Sequence, residues 1–436
     1  MIIITDNETP RCAYITRLLL QRLMCADLRH ASAPKDGEAV IAYTRERPSY
    51  PCIHIRPHGL LEQKAIRPQS MDMGRWDDLP VFFLTEADLP FDIFSAAFFL
   101  VSRYEEYLPH EKDKYGRYSH QNSLAFREGF LGMPLVEQWV MKLRERVGLI
   151  FPAERLGTRD LSFVPTYDID HAWCYLHKGS LRTAGQLARD LLAGRFTSLV
   201  SRLRVLRGTE KDPYDMYEWL DALHRRHGLE ACYFFPLAVR VQGYDRNVSP
   251  YSESLRALMA GLDQHNRTGI HPSWRSGDSE TVFRVELSLF HAITGHAPGC
   301  SRFHYIRFTL PQDYRKLLRY DIREDHSMGY GTVNGFRASV SMPFPWYDLE
   351  KEEETPLEVH PYCWMDANSH YEQGCSPEDA FTELMRFHEL LRDVNGRMVT
   401  ISHNNFLGTG PGFVGWRDMY QRFLDWQAGR GDQPVT

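Results

Sequence analysis

From about residue 160 onward the chain alternates short apolar runs with helical patterns, a rhythm that few architectures can accommodate. Strand candidates fall at 162–164, 231–235, 269–271, 301–305, 357–360 and 398–402. Helical spacing covers 181–205, 214–227, 253–265, 280–292, 311–318 and 377–393. Strand and helix in alternation imply parallel strands joined by helical crossovers. A succession of this length suits a closed or nearly closed (β/α) barrel better than a small open sheet, with an open doubly wound sheet as the other solution. No Gly-rich phosphate loop follows any of these runs, which argues against a nucleotide site.

At 436 residues the chain is too long for one ordinary core. The stretch 151–159 mixes Pro, Gly and charge and reads as a linker. It divides a smaller α+β domain, 1–155, from the barrel, 156–436. In the first, Ile2, Ile3 and Ile4 read as a strand, and Ile15, Leu18, Leu19 and Leu23 as one face of a helix over 11–25. Further helical patterns cover 92–107 and 134–147. Arg103, Glu105 and Glu106 fall on one surface of the former, in a structural or interdomain role.

Polar groups recur where the apolar runs stop. Pro165, Thr166 and Tyr167 lead into Asp168, Ile169, Asp170 and His171. On a continuing strand Asp168 and Asp170 point the same way, and two carboxylates forced together raise a pKa or recruit a cation. A cap is the bland alternative. Gly269 and Ile270 end in His271, which is either a surface histidine or a ligand beside the aspartates. Arg302 stands in an alternation of cation and aromatic. It is either an edge-strand charge or a fork that orients a carboxylate. The last run ends in Ser402 and His403, whose side chains face opposite ways, so they do not form a nucleophile–base pair. As the last of several polar strand ends, His403 fits a general acid.

Bulk properties narrow the substrate. A net charge of −6 gives no electrostatic case for nucleic acid or an anionic membrane. Hydrophobic residues at 43% and charged ones at 25% are the composition of a soluble globular protein. No window approaches the roughly 18 consecutive apolar residues of a membrane span. The opening residues lack the basic and apolar segments of a secretory leader. The eight cysteines are scattered without metal or redox spacing and read as free thiols. Both features point to the cytoplasm. Aromatic residues, 13% of the chain, suit sugar rings as well as cores.

The order Thr166-Tyr167-Asp168-Ile169-Asp170, Gly269-Ile270-His271-Pro272-Ser273, Arg302-Phe303-His304-Tyr305 and a terminal strand histidine, His403, resembles the polysaccharide deacetylase (NodB-like, carbohydrate esterase family four) superfamily. It is most similar to a bacterial branch with an N-terminal domain of uncharacterised function. Residues 102–107, 116–118, 325–330, 335–338, 365–366 and 403–405 carry that closer likeness. The resemblance implies a distorted (β/α) barrel. It also implies a metal-dependent hydrolase that removes an N- or O-linked acetyl group from a sugar or glycan precursor. Carried over, Asp168 is the general base, Asp170 and His271 bind a divalent metal ion, zinc first among them, Arg302 orients the base, and His403 protonates the leaving group.

Two departures stand out. The family's first motif has adjacent aspartates, whereas Ile169 separates them here. Its second motif has a further histidine four residues after the first, where this chain has Arg275. One ligand is therefore missing unless His171, His304 or another side chain supplies it. The alternative is a catalytically reduced barrel that binds a glycan or partner without turnover. A different carbon–nitrogen hydrolase on the same barrel is the nearest variant within the enzymes. Asp325 and Asp366, as lone carboxylates, read as caps or contacts to sugar hydroxyls. Residues 350–354 read as a solvated charged loop. Trp274, Tyr330, Trp346 and Trp364 read as core or as a stacking platform.

Overall fold

The chain opens on a small parallel sheet. A computed structural model describes residues 1–35, 37–240 and 243–429. In it β1 (Ile2–Thr5) lies between β2 (Arg29–His30) and β3 (Val40–Tyr43), with β4 (Ile53–Ile55) beyond β3. An antiparallel pair follows, β5 (Gly74–Trp76) and β6 (Leu79–Val81). The helix Ile93–Val101 starts where the Asp92 side chain accepts the Ser95 amide, and every one of its nine residues is buried. That end of the molecule is packed by rings, with Trp139 fully buried against Phe82 and Phe91.

The second sheet has nine strands: β7 (Ser162–Asp168), β8 (Cys232–Phe235), β9 (Arg267–Ile270), β10 (Cys300–Ser301), β11 (Glu324–Asp325), β12 (Phe344–Asp348), β13 (Glu353–Val359), β14 (Trp364–Met365) and β15 (Arg397–His403). Their order is β12-β13-β11-β10-β9-β8-β7-β15-β14. All neighbours run parallel except β12, which returns antiparallel along β13. The strand order is that of a ring cut between β13 and β14. The expected barrel is thus not closed by hydrogen bonds among the described residues. β12 takes the free edge of β13, and β14 is only two residues long.

Packing of the strands explains which residues stand at the site. β8, Cys-Tyr-Phe-Phe, is buried throughout, as a strand covered on both faces must be. Gly269 is glycine because a Cβ there would lie 2.5 Å from the Phe234 ring and 2.8 Å from Cys300 Sγ. The helix Pro377–Asp393, which returns the chain to β15, carries a full capping box between Ser376 and Asp379.

Four expectations change. The run 301–305 is a strand only at its start, β10, and a 3₁₀ turn, His304–Ile306, follows. The pattern over 181–205 is two helices, Ser180–Leu192 and Phe196–Leu206, parted by Gly194 at φ +66°. The pattern over 92–107 breaks after Val101, where Arg103 turns left-handed (φ 54°) into a short 3₁₀ turn, Tyr104–Tyr107. Arg103 and Glu106 are therefore buried, not on a helix surface. Nor do residues 350–354 form a purely solvated loop, since Glu353 and Glu354 open β13 and Glu352 pairs with the buried Arg11.

Apolar packing runs without a break from Ile3 and Leu143 to Leu391 and Leu424, joining the two sheets. Polar contacts cross the same seam. Glu106 accepts from Arg103 Nε at 2.7 Å and from Arg337 Nε and Nη2 at 2.9 and 2.6 Å, while Arg103 Nη1 donates to the Arg337 carbonyl. Glu137 Oε1 accepts the amides of Ser341 and Met342 at 2.6 and 3.0 Å. No helix among the described residues is long and apolar enough to cross a membrane.

Candidate active site

Asp168, His271, Arg302 and His403 come together at the carboxyl ends of neighbouring strands. β7 ends on Asp168, opposite His403 at the end of β15; His271 follows β9, and Arg302 follows β10. Asp170 lies two residues beyond β7. All but Arg302 line a cavity of about 540 Å³ together with His171, His304, Tyr305 and Tyr371. Arg302 itself lies just beneath that lining and is completely buried.

Arg302 spends its guanidinium on fixed partners. Nη1 donates to Asp168 Oδ1 at 2.8 Å, Nη2 to Thr166 Oγ1 at 2.7 Å and Nε to the His326 carbonyl at 3.0 Å. The group also sits 4.3 Å above the Phe234 ring, the ring for which Gly269 makes room. Asp168 is thereby held by one oxygen, with Oδ2 left facing His271 Nε2 at 3.7 Å.

Three imidazoles surround Asp170, each anchored through Nδ1. His271 Nδ1 lies 2.5 Å from the Arg302 carbonyl, His304 Nδ1 3.1 Å from Asp245 Oδ1, and His403 Nδ1 2.6 Å from Asp366 Oδ1. Such anchors place the proton on Nδ1 and leave the Nε2 lone pair pointing inward. His271 Nε2 stands 3.4 Å from Asp170 Oδ1, His304 Nε2 3.3 Å from Oδ2, and His403 Nε2 3.7 Å from Oδ2. None of the three makes a well-formed hydrogen bond to Asp170, and the buried Oδ1 has no hydrogen-bond partner.

Lone pairs facing a carboxylate demand positive charge between them, as a proton or as a metal ion. Burial disfavours the charged form of His304, yet Asp170 and Asp245 on either edge push it up to about 10. Burial likewise opposes charge on His403, and Asp366 followed by Asp170 pushes it up to about 9. Asp170 is held well below the carboxylate range, since His304, His271 and His403 outweigh its burial. Around a divalent ion with bonds of about 2.0–2.1 Å, neighbouring ligand atoms of a tetrahedron stand about 3.3–3.4 Å apart. His271 Nε2 to Oδ1 and His304 Nε2 to Oδ2 both stand at that spacing, each from its own Asp170 oxygen, and one ligand atom from each of the three residues lies within 4.8 Å of the others. The residues present fit a metal ion.

His304, from the chain after β10, is the third member of this group. Arg275 lies apart, lining a different cavity with Val239, Tyr251 and Val285. His171 lines the active cavity but stands outside the Asp170, His271 and His304 group. Burial pulls it down to about 4. Sequence reasoning missed two carboxylates. Asp366 is not a cap or a sugar contact but holds His403 through ring and backbone, its Oδ2 accepting the His403 amide at 2.6 Å. Asp245 holds His304 and also accepts the Trp274 amide at 2.9 Å. Of the aromatic candidates, Tyr330, Trp346 and Trp364 are core. Trp274 joins Tyr115, Tyr244 and Tyr305 in a cluster at the cavity rim.

The first half of the chain supplies part of that rim. Lys114, Tyr115 and Arg117 line the cavity, and Arg117 Nη1 donates to the Tyr305 carbonyl at 2.7 Å. The guanidinium occupies the space a Cβ on Gly331 would need, 2.0 Å away.

Comparison with known proteins adds little about chemistry. A model described as a family of unknown function, DUF7033, matches residues 1–152. No curated protein matches. Among solved structures, similarity extends to a putative polysaccharide deacetylase from Mycobacterium smegmatis (11% identity, TM-score 0.39, covering 62% of this chain and 85% of that one). It extends also to Puue allantoinase (13%, TM-score 0.39, 62% and 84%). A third is the catalytic domain of a peptidoglycan N-acetylglucosamine deacetylase from Eubacterium rectale ATCC 33656 (11%, TM-score 0.29, 65% and 91%). Likeness at this level assigns no residue roles.

Proposed function

We propose that this chain is a metal-dependent hydrolase that removes an acetyl group, N- or O-linked, from a sugar or glycan precursor in the cytoplasm. The single observation that carries the reading is the inward-facing ring of Nε2 atoms around Asp170, next to an Arg302-held Asp168, at the floor of a sugar-sized cavity. Asp170, His271 and His304 would hold a divalent cation, zinc by the N/O donor set. When bound, it polarises an acetyl carbonyl and acidifies water.

The remaining roles belong to the chain. Asp168, fixed by Arg302 through Oδ1, presents Oδ2 to take the proton of the attacking water. His403, held by Asp366, turns Nε2 toward the cavity and returns a proton to the departing amine or alkoxide. Tyr115, Tyr305, Tyr371 and Phe406 offer aromatic faces for sugar rings. The sheet acts as a distorted barrel cut at one seam, with the division into domains at 155/156.

The test is acetate release from a panel of N- and O-acetylated sugars by zinc-loaded protein, beside Asp168→Asn and His403→Ala. Each variant is expected to lose at least about 100-fold in kcat/KM. Stoichiometric metal without acetate release would overturn the hydrolase in favour of glycan binding without turnover, which a direct binding assay on the same panel would then reveal.

A further inference from the structure

A second group of metal-ligating side chains lies one layer below the active cavity, where the proposed hydrolysis has no use for it. Glu324 is on β11, His326 follows that strand, and His360 follows β13, its parallel neighbour. The two imidazoles stack with centroids 4.4 Å apart and planes 11° from parallel. His326 Nε2 lies 3.5 Å and His360 Nε2 3.3 Å from the same oxygen, Glu324 Oε2. These are again too long for good hydrogen bonds and close to the edges of a coordination tetrahedron.

His326 is 2% exposed, and neither of its ring nitrogens has a hydrogen-bond partner. An imidazole left unpaired in the interior is costly unless something else occupies its lone pair. Glu324 is only partly buried, so solvent can complete a coordination shell from that side. Arg267 Nη2 donates to that same oxygen, Oε2, at 2.7 Å. This contact is the kind that supports a ligating carboxylate, whose oxygens keep further lone pairs and are ordinarily hydrogen-bonded in turn.

We propose that Glu324, His326 and His360 form a second, structural site for a divalent transition-metal ion with mixed nitrogen and oxygen preference, zinc being the type. It pins the ends of β11 and β13 together. It also steadies the His326 carbonyl that receives Arg302 Nε, and through Arg302 the orientation of Asp168. The Phe234 ring separates the two sites, lying 5.3 Å from His326 and 4.3 Å from the Arg302 guanidinium.

The experiment is stoichiometry by zinc titration of the stripped full-length chain with a competing chelator, backed by the absorption spectrum of the cobalt-substituted protein. The unaltered chain is expected to take two equivalents. His271→Ala removes one and leaves the second. His360→Gln removes the other, with at least about 100-fold weaker binding of that equivalent and loss of its cobalt bands. If His360→Gln fails to fold, the partly exposed Glu324→Gln reads the same equivalent nearer the surface. One equivalent in the unaltered chain, abolished by His271→Ala, overturns the proposal, as do two equivalents indifferent to both His360→Gln and Glu324→Gln. None of these outcomes depends on acetate release, so the second site stands or falls apart from the hydrolase.

Discussion

Two clusters of buried charge, built from similar side chains, differ in whether their hydrogen bonding is complete. At the seam between the sheets both oxygens of Glu106 are taken by Arg103 and Arg337, and each guanidinium also reaches a backbone carbonyl. At the cavity Asp170 faces three imidazoles across gaps of 3.3–3.7 Å, with one oxygen unpartnered. The first arrangement is finished by the chain and holds the fold. The second leaves an oxygen open and lies nearer solvent, Asp170 being 19% exposed against 3% for Glu106, which is how a candidate ligand site differs from a structural ion pair.

The widest expected divergence comes from Asp170→Asn. It should abolish stoichiometric zinc at the upper site and lower acetate release by at least about 10³-fold, with a far smaller change in urea midpoint. Metal content, kcat/KM and denaturation on one preparation check this; a variant that unfolds while keeping its zinc would erase the distinction. Glu106→Gln should do the reverse. It leaves two buried guanidiniums without their carboxylate and is expected to cost about 3–5 kcal/mol in urea unfolding, with zinc stoichiometry unchanged.

A third expectation separates the clusters by pH. Burial alone would raise the Glu106 carboxyl, but Arg337 and Arg103 hold it down to about 2. A depressed folded-state pKa gives stability that is present above the unfolded value of about 4.3 and lost as pH falls through 2. Unfolding followed across that window should therefore show a loss of about 3 kcal/mol in the unaltered chain that is missing from Glu106→Gln. The smallest effect is assigned to Arg275→His. A histidine there should change zinc affinity and turnover by less than about twofold, because His304 stands with Asp170 and His271 while position 275 faces another cavity. A gain of tenfold or more would show the upper site to be short of a ligand.

Much of the upper site was legible because strand ends mark themselves. A short apolar run that stops at Asp168, His271 or His403 is a signal that one sequence can carry, whereas Arg302 was picked out inside an alternation of cation and aromatic. The third imidazole was harder, since family spacing looks within one loop and His304 comes from the next strand. Asp366 and Asp245 left no trace of their roles. β14 is two residues long, too short for any periodicity, and Asp245 sits in irregular chain. The same brevity hid β11 and with it Glu324. Arg103 and Glu106 were misplaced for a different reason. The pattern over 92–107 is helical in composition, but a single left-handed residue turns its end inward.

Arg117 resting against Gly331 has a consequence for descent. A side chain from the first 150 residues fills the space of a missing methyl group in the remainder, and both border one cavity. Neither half can drift freely at that point: a bulkier residue at 331 evicts its neighbour's guanidinium, and a lineage that shed the leading portion would have to rebuild a wall of its own pocket. A chimera grafting the later portion onto a foreign partner starts with a breach in the wall of that cavity.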